Sequence, residues 1–213
     1  MGELVMPYPD FKGTDGLLMH LYSHGPRSVT EDLPFGPRNA LQLVAAADMC
    51  STGLVNTIYL SGKYKAGGES VPLSLRVKDA LLSMDVGADV IAVPQGQSSV
   101  DEVTLFSKKA REKGWKSLSG VGTADHTRRL ARVYAKEATV VNLYAAEHVV
   151  THHLPSHPKA EDLLDYFADL RNTWLFKFKE FGLHVAYSSG LDPLIQLVAG
   201  SRLARAFQEI IDK

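Results

Sequence analysis

Apolar positions along the chain fall into short continuous runs that alternate with longer stretches where they recur every three or four residues. The first pattern is that of a buried strand and the second that of a helix with one apolar face. "GLLMHLYS" (16–23) reads as a strand, and residues 39–51 as a helix apolar nearly all round, which predicts a central place in the core. "NTIYLSG" (56–62) is a second strand. After it comes a Gly67-Gly68 turn, read as a hairpin, and an extended piece ending at Pro72. Val77, Leu81 and Met84 give a helix over 74–85, "DVIAVP" (89–94) a fully apolar strand, residues 99–113 a helix, and "KSLSGV" (116–121) a strand. Residues 124–136 are a helix with Thr123 or Asp125 available to cap it. This alternation predicts an α/β layer structure.

Beyond residue 137 the pattern changes. "ATVVNLYAAEHVVTHHL" (138–154) suits strand or helix, and Pro155 and Pro158 separate it from the next helical stretch. There Leu163, Phe167, Leu170, Trp174, Phe178 and Phe181 mark one aromatic-rich stripe on a helix over 160–181, expected to pack on the α/β layer. "LHVAYSS" (183–189) is a candidate last strand, and Asp192-Pro193 opens a final helix. Disorder is expected only in the first dozen residues.

Composition narrows the function classes. A chain of 213 residues, 45% hydrophobic, with a formal net charge of -1, is that of an ordinary globular protein, with no whole-molecule pull toward nucleic acid or an anionic membrane. The single cysteine, Cys50, has no internal disulfide partner, no apolar run approaches the length of a membrane span, and "MGELVMPYPD" lacks the marks of a signal peptide. The expectation is a soluble intracellular protein, cytoplasmic, without membrane contact.

Four groups of residues are candidates for chemistry. "SGKYKAGGES" (61–70) lacks the spacing of a phosphate-binding P-loop. His148 and His152 stand four apart and suit two zinc ligands if their segment is helical, with His153 and His157 nearby; Glu147 precedes them instead of lying between, so surface histidines are the plainer expectation and no metal or cofactor is expected. Lys108, Lys109, Arg111, Lys113 and Lys116, with Arg128 and Arg129 further on, form a basic cluster in which Trp115 could stack a base. A solvated helix face is the competing reading. Ser28, Ser188 and Ser189 are the serines considered as nucleophiles, although none sits in a Gly-x-Ser-x-Gly elbow.

Gly36-Pro37-Arg38-Asn39-Ala40, then "YLSGKYKAGGESVPL", then "LRVKDALLSMDVGADVIAVPQ", with "GVGTADHTRRLARVYAK" as the last strand and helix, follow one another along the chain. Over residues 16–136 their order and spacing resemble the proteolytic domain of the Lon family of serine proteases. The resemblance implies a Lon proteolytic-domain-like (ribosomal protein S5 domain 2-like) layer over residues 1–136, followed by an added, mainly helical region over 137–213 packed on it. The family's catalytic serine falls on Arg38 and its lysine on Asp79, with Lys78 one place off. Arginine has no nucleophilic oxygen and keeps its proton, and a one-residue shift turns a helical side chain by about 100°. The resemblance therefore implies a protein without peptidase activity, acting as a binding or assembly component, with a protein partner or further copies of itself. It also suggests that Arg38 and Asp79 pair where a dyad once stood. The alternatives are an active serine hydrolase with a relocated nucleophile and a nucleic-acid-binding module using Lys108 to Arg132.

Overall fold

The computed structural model describes residues 11, 13–22, 35–64, 70–137, 139–152 and 160–172. They form an α/β fold around one five-stranded parallel sheet. In chain order the elements are β1 (Gly16–Met19), α1 (Pro37–Ser51), β2 (Thr57–Ser61), α2 (Leu73–Ser83), β3 (Asp89–Val93), α3 (Ser99–Lys113), β4 (Leu118–Gly122), α4 (Ala124–Lys136), β5 (Asn142–Ala145), α5 (Ala146–His152) and α6 (Ala160–Asn172). The strands lie in the order β3-β2-β1-β4-β5.

The strands are apolar on both faces because helices cover both faces. Leu17, Met19, Ile58, Leu60, Val121 and Tyr144 point to one side, where α1, α2, α5 and α6 contribute Leu41, Val44, Met49, Val77, Leu81, Val149 and Phe167. Leu18, Tyr59 and Leu143 point to the other, against Val103 and Phe106 of α3 and Leu130, Val133 and Tyr134 of α4. The alternation within β1 and β2 is the period-two signature of a strand, here with both positions buried. On the second face Trp115 lies flat enough against β1 that a Cβ on Gly16 would stand 2.5 Å from its ring, so only glycine fits there.

Three expectations change. β2 does not turn back into an antiparallel partner among the described residues: it leads through α2 and pairs with β3 in parallel, which requires a helical crossover in place of a hairpin. Gly67 and Gly68 themselves lie outside the described residues. The sheet also runs past residue 136, because α4 carries the chain to β5, which pairs with β4 at Ser119–Asn142 through Gly122–Ala145. The ambiguous 138–154 stretch is in fact both strand and helix, with α5 starting directly at the end of β5. Of the aromatic stripe, Leu163 and Phe167 are buried in the core beside α1, while Trp174, Phe178 and Phe181, the proposed last strand and the final helix lie outside the described residues. No helix among the described residues is long and apolar enough to cross a membrane.

The central helix α1 carries two titratable groups into the core. Burial pushes the Cys50 thiol up to about 12, so it is unreactive at neutral pH. Burial also raises the Asp48 carboxyl to about 7. The folded chain therefore keeps a proton on Asp48 between about pH 4 and pH 7, where the unfolded chain has lost it. The unfolded state binds fewer protons in that window, so this group makes stability fall as pH rises, by up to about 1.4 kcal/mol per pH unit, and adds no slope above pH 7. The Asp48→Asn variant should lose this contribution. Urea denaturation at several pH values checks it, and equal slopes for variant and parent over about pH 4–7 would count against it.

Candidate functional site

In a sheet of this order the chain leaves β1 toward one side and returns to β4 on the other, which makes the carboxyl ends of β1 and β4 the topological switch point, the edge where ligands bind in open α/β sheets. Most of the residues at this edge are polar, and they pack together. His20, Leu21 and Tyr22 follow β1, Thr123 to His126 open α4 after β4, Arg38 and Asn39 open α1, and Ser99 opens α3.

Tyr22 is the hub. Its backbone N–H donates to Asn39 Oδ1 at 2.8 Å and its carbonyl accepts from Asn39 Nδ2 at 2.9 Å, fixing the chain after β1 to the start of α1. Its hydroxyl meets Thr123 Oγ1 at 2.8 Å, tying it to α4. One neighbour of its ring is the Arg38 guanidinium, 4.8 Å from the ring centre, and another is the His126 imidazole at 4.9 Å. Burial raises the Tyr22 hydroxyl well above its ordinary value, so it stays protonated.

Arg38 donates from Nη1 to Asp125 Oδ2 at 3.1 Å, with the two side chains 6% and 10% exposed. The expected partner, Asp79, is exposed on α2. Arg38 sits in the first turn of α1, at the carboxyl edge of the sheet, whereas Asp79 lies six residues into α2, about 9 Å down that helix axis. Asp125 occupies the first turn of α4, which opens at the same edge as α1.

A second layer lies beneath. His20 Nδ1 is 2.9 Å from Glu102 Oε2, His20 Nε2 is 3.1 Å from the Tyr134 hydroxyl, and Glu102 Oε1 accepts from Leu21 N at 3.3 Å. Full burial holds His20 down at about 3 and raises Glu102 well above its ordinary value. Both directions favour the uncharged forms, in which Glu102 donates its proton to Nδ1 and Nε2–H donates to Tyr134. The His20 ring stands edge-on to His126 at 5.6 Å, and Ser99 Oγ lies 2.9 Å from His126 Nε2. The cap of α4 is not supplied by a side chain of Thr123 or Asp125; Ala124 N donates to Glu147 Oε2 of α5 at 2.8 Å.

The other sequence candidates are placed differently. His148 and His152 are both exposed on α5, and no group of three metal-ligating side chains occurs among the described residues. Lys108, Arg111, Lys113, Lys116 and Arg128 are exposed, Lys109 pairs with Glu112 at 2.9 Å, but Arg129 is buried. Trp115 is half-buried, packed on Phe106 with ring centres 6.0 Å apart and against Gly16 of β1. Lys78 is half-buried on α2; Ser28, Ser188 and Ser189 lie outside the described residues.

Sequence reasoning did not single out His20, Tyr22, Asn39, Ser99, Glu102 or His126 as a site, although the signal was present. "MHLY" and "GTADH" place polar residues immediately after apolar strands, which in an alternating strand and helix sequence is the edge where ligands bind. Comparison of the chain with protein-family models, curated proteins and solved structures gave no match.

Proposed function

We propose that this chain binds a small anionic molecule at the switch point between the carboxyl ends of β1 and β4, with Arg38 as its anchor. The observation that carries this reading is a nearly buried arginine fixed at the topological switch point of a parallel sheet, between the Asp125 carboxylate and the Tyr22 ring. The start of α1 adds to it: the first turn holds no acidic residue and Gly36 makes no side-chain cap, so the positive end of a 15-residue helix faces the same edge. An arginine fork held in one orientation suits a planar or tetrahedral anion better than a lysine would.

Thermal-shift titrations with inorganic phosphate, succinate and a nucleoside monophosphate test this. At least one should raise the melting temperature in a saturable way. Arg38→Lys, which keeps the charge and loses the fork, should weaken that apparent affinity about tenfold or more. No saturable shift with any of the three, or an equal shift in the variant, would sink the proposal.

A second reading rests on the Lon-type resemblance of residues 16–136: a catalytically inactive, Lon-like binding or assembly component. The observation in its favour is the Gly36-Pro37 start of the central helix α1, with Pro37 in its first turn. On this reading Arg38→Ser alone creates no peptidase activity, because no lysine base stands at Asp79.

A further inference from the structure

Ser98 and Ser99 are adjacent serines at the start of α3 with different jobs. Ser98 caps the helix, its oxygen accepting from Asp101 N at 3.2 Å. The usual local use of a serine in this position is therefore already filled, and Ser99 Oγ is turned instead to His126 Nε2, 2.9 Å away on α4. The imidazole has Tyr22 and His20 as ring neighbours, at 4.9 and 5.6 Å, and His20 is itself fixed by Glu102, one turn beyond Ser99 on the same helix. Ser99 is partly exposed while His126 is 5% exposed, so the hydroxyl is reachable and its partner is shielded from water. The first backbone N–H groups of α3, at Ser99 and Val100, have no intrahelical acceptor and stand beside that hydroxyl.

We propose that Ser99 and His126 are a nucleophile and its general base, and that they hydrolyse a carboxylic ester bearing an anionic group. This rests on the anion-site reading above, in which Arg38 holds the anion; Arg38 and His126 are both neighbours of the Tyr22 ring. Ser99 Oγ adds to the ester carbonyl while its proton passes to His126 Nε2. The oxyanion is met by the N–H groups of Ser99 and Val100. Collapse breaks the acyl carbon–oxygen bond, and His126 returns the proton to the departing alkoxide. Water then attacks the acyl-serine and gives a proton to His126; the acyl carbon–Oγ bond breaks to release the carboxylic acid, and His126 returns the proton to Ser99 Oγ.

Two measurements on the full chain test the pair, with circular dichroism confirming that each variant is folded. A fluorophosphonate probe should label one site, mapped to Ser99 by peptide mass, and Ser99→Ala should abolish labelling. Hydrolysis of mono-p-nitrophenyl succinate should exceed that of p-nitrophenyl acetate about tenfold in kcat/KM, a preference lost in Arg38→Lys. His126→Gln should slow both labelling and hydrolysis by about 100-fold or more. The inference is overturned by no labelling, by labelling that survives Ser99→Ala or maps to Ser28, Ser188 or Ser189, or by a His126→Gln variant within about threefold of the parent, which is below the usual range for a general base. Saturable succinate or phosphate binding without labelling would leave the anion-site reading standing and remove this one. Labelling of Ser99 without anion binding or ester preference would support the pair and remove the role given to Arg38.

Discussion

Replacing Glu102 with alanine should lower the unfolding free energy by about 3–5 kcal/mol, measured by urea denaturation at neutral pH. Glu102 is 2% exposed and ties α3 to the segment after β1, where it meets His20 and accepts from Leu21 N. Its loss leaves a buried imidazole nitrogen and a backbone N–H without their partner, and opens a space between α3 and β1. Glu102→Gln separates the two protonation pictures. If the pair is uncharged, the amide replaces the carboxylic acid, donating to His20 Nδ1 and accepting from Leu21 N, and the loss should stay below about 1.5 kcal/mol. If the pair is ionic, glutamine leaves an imidazolium without its counter-charge and should cost nearly as much as alanine. The second result would overturn the uncharged assignment made from burial.

The second large effect is expected at Arg38. Truncation to alanine removes the counter-charge of Asp125, whose side chain is 10% exposed, and the cation packed on Tyr22. A broken pair at this depth typically costs about 3–5 kcal/mol, most of it from the charge left behind. The double variant Arg38→Ala/Asp125→Ala should therefore be more stable than the sum of the single losses predicts, with a coupling above about 1 kcal/mol in a double-mutant cycle. Additive losses, within about 0.5 kcal/mol, would mean that the pair contributes nothing as a pair. The cycle also separates folding from recognition. The double variant regains stability while the anchor for an anion is gone, so a melting-temperature response to phosphate or succinate should be absent even where the fold is sound.

Local periodicity made much of the fold legible. The helix over 99–113 coincides with α3, and that over 124–136 with α4, because each combines a three-and-four spacing with clear punctuation: Ser98 and Gly114 around the first, a Gly-Thr step before the second. Gly114 ends α3 at a φ of +67°, a conformation that favours glycine. Strands β1 and β2 were legible as apolar runs. Legibility failed where two structures share one composition: residues 142–152 contain a strand and a helix with no turn residue between them, so periodicity had nothing to divide. It failed again where a partner comes from far along the chain. Arg38 could be placed at the start of a buried helix, but Asp125 is 87 residues away and is brought to it by the sheet order. Trp115 shows the same limit, since its neighbouring lysines suggest a surface while the ring is fixed by Gly16, on the strand beside β4.

The Glu147 carboxylate on the first N–H of α4 ties the site to the order of synthesis. Arg38 emerges early, but its ion-pair partner comes 87 residues later and the cap of α4 a further 23 residues beyond Ala124. α1 cannot bury its outer face until α5 and α6 arrive with Val149, Leu163 and Phe167. A nascent chain that ended at β4 would hold Tyr22 and Arg38 but not their partners Thr123, Asp125 and His126. Such non-local closure is slow relative to helix formation and leaves apolar surface waiting. The contacts that join α1 to α4 are thus a late product of folding, and ribosome-stalled chains shorter than about 167 residues should expose α1 to proteolysis that the finished protein resists.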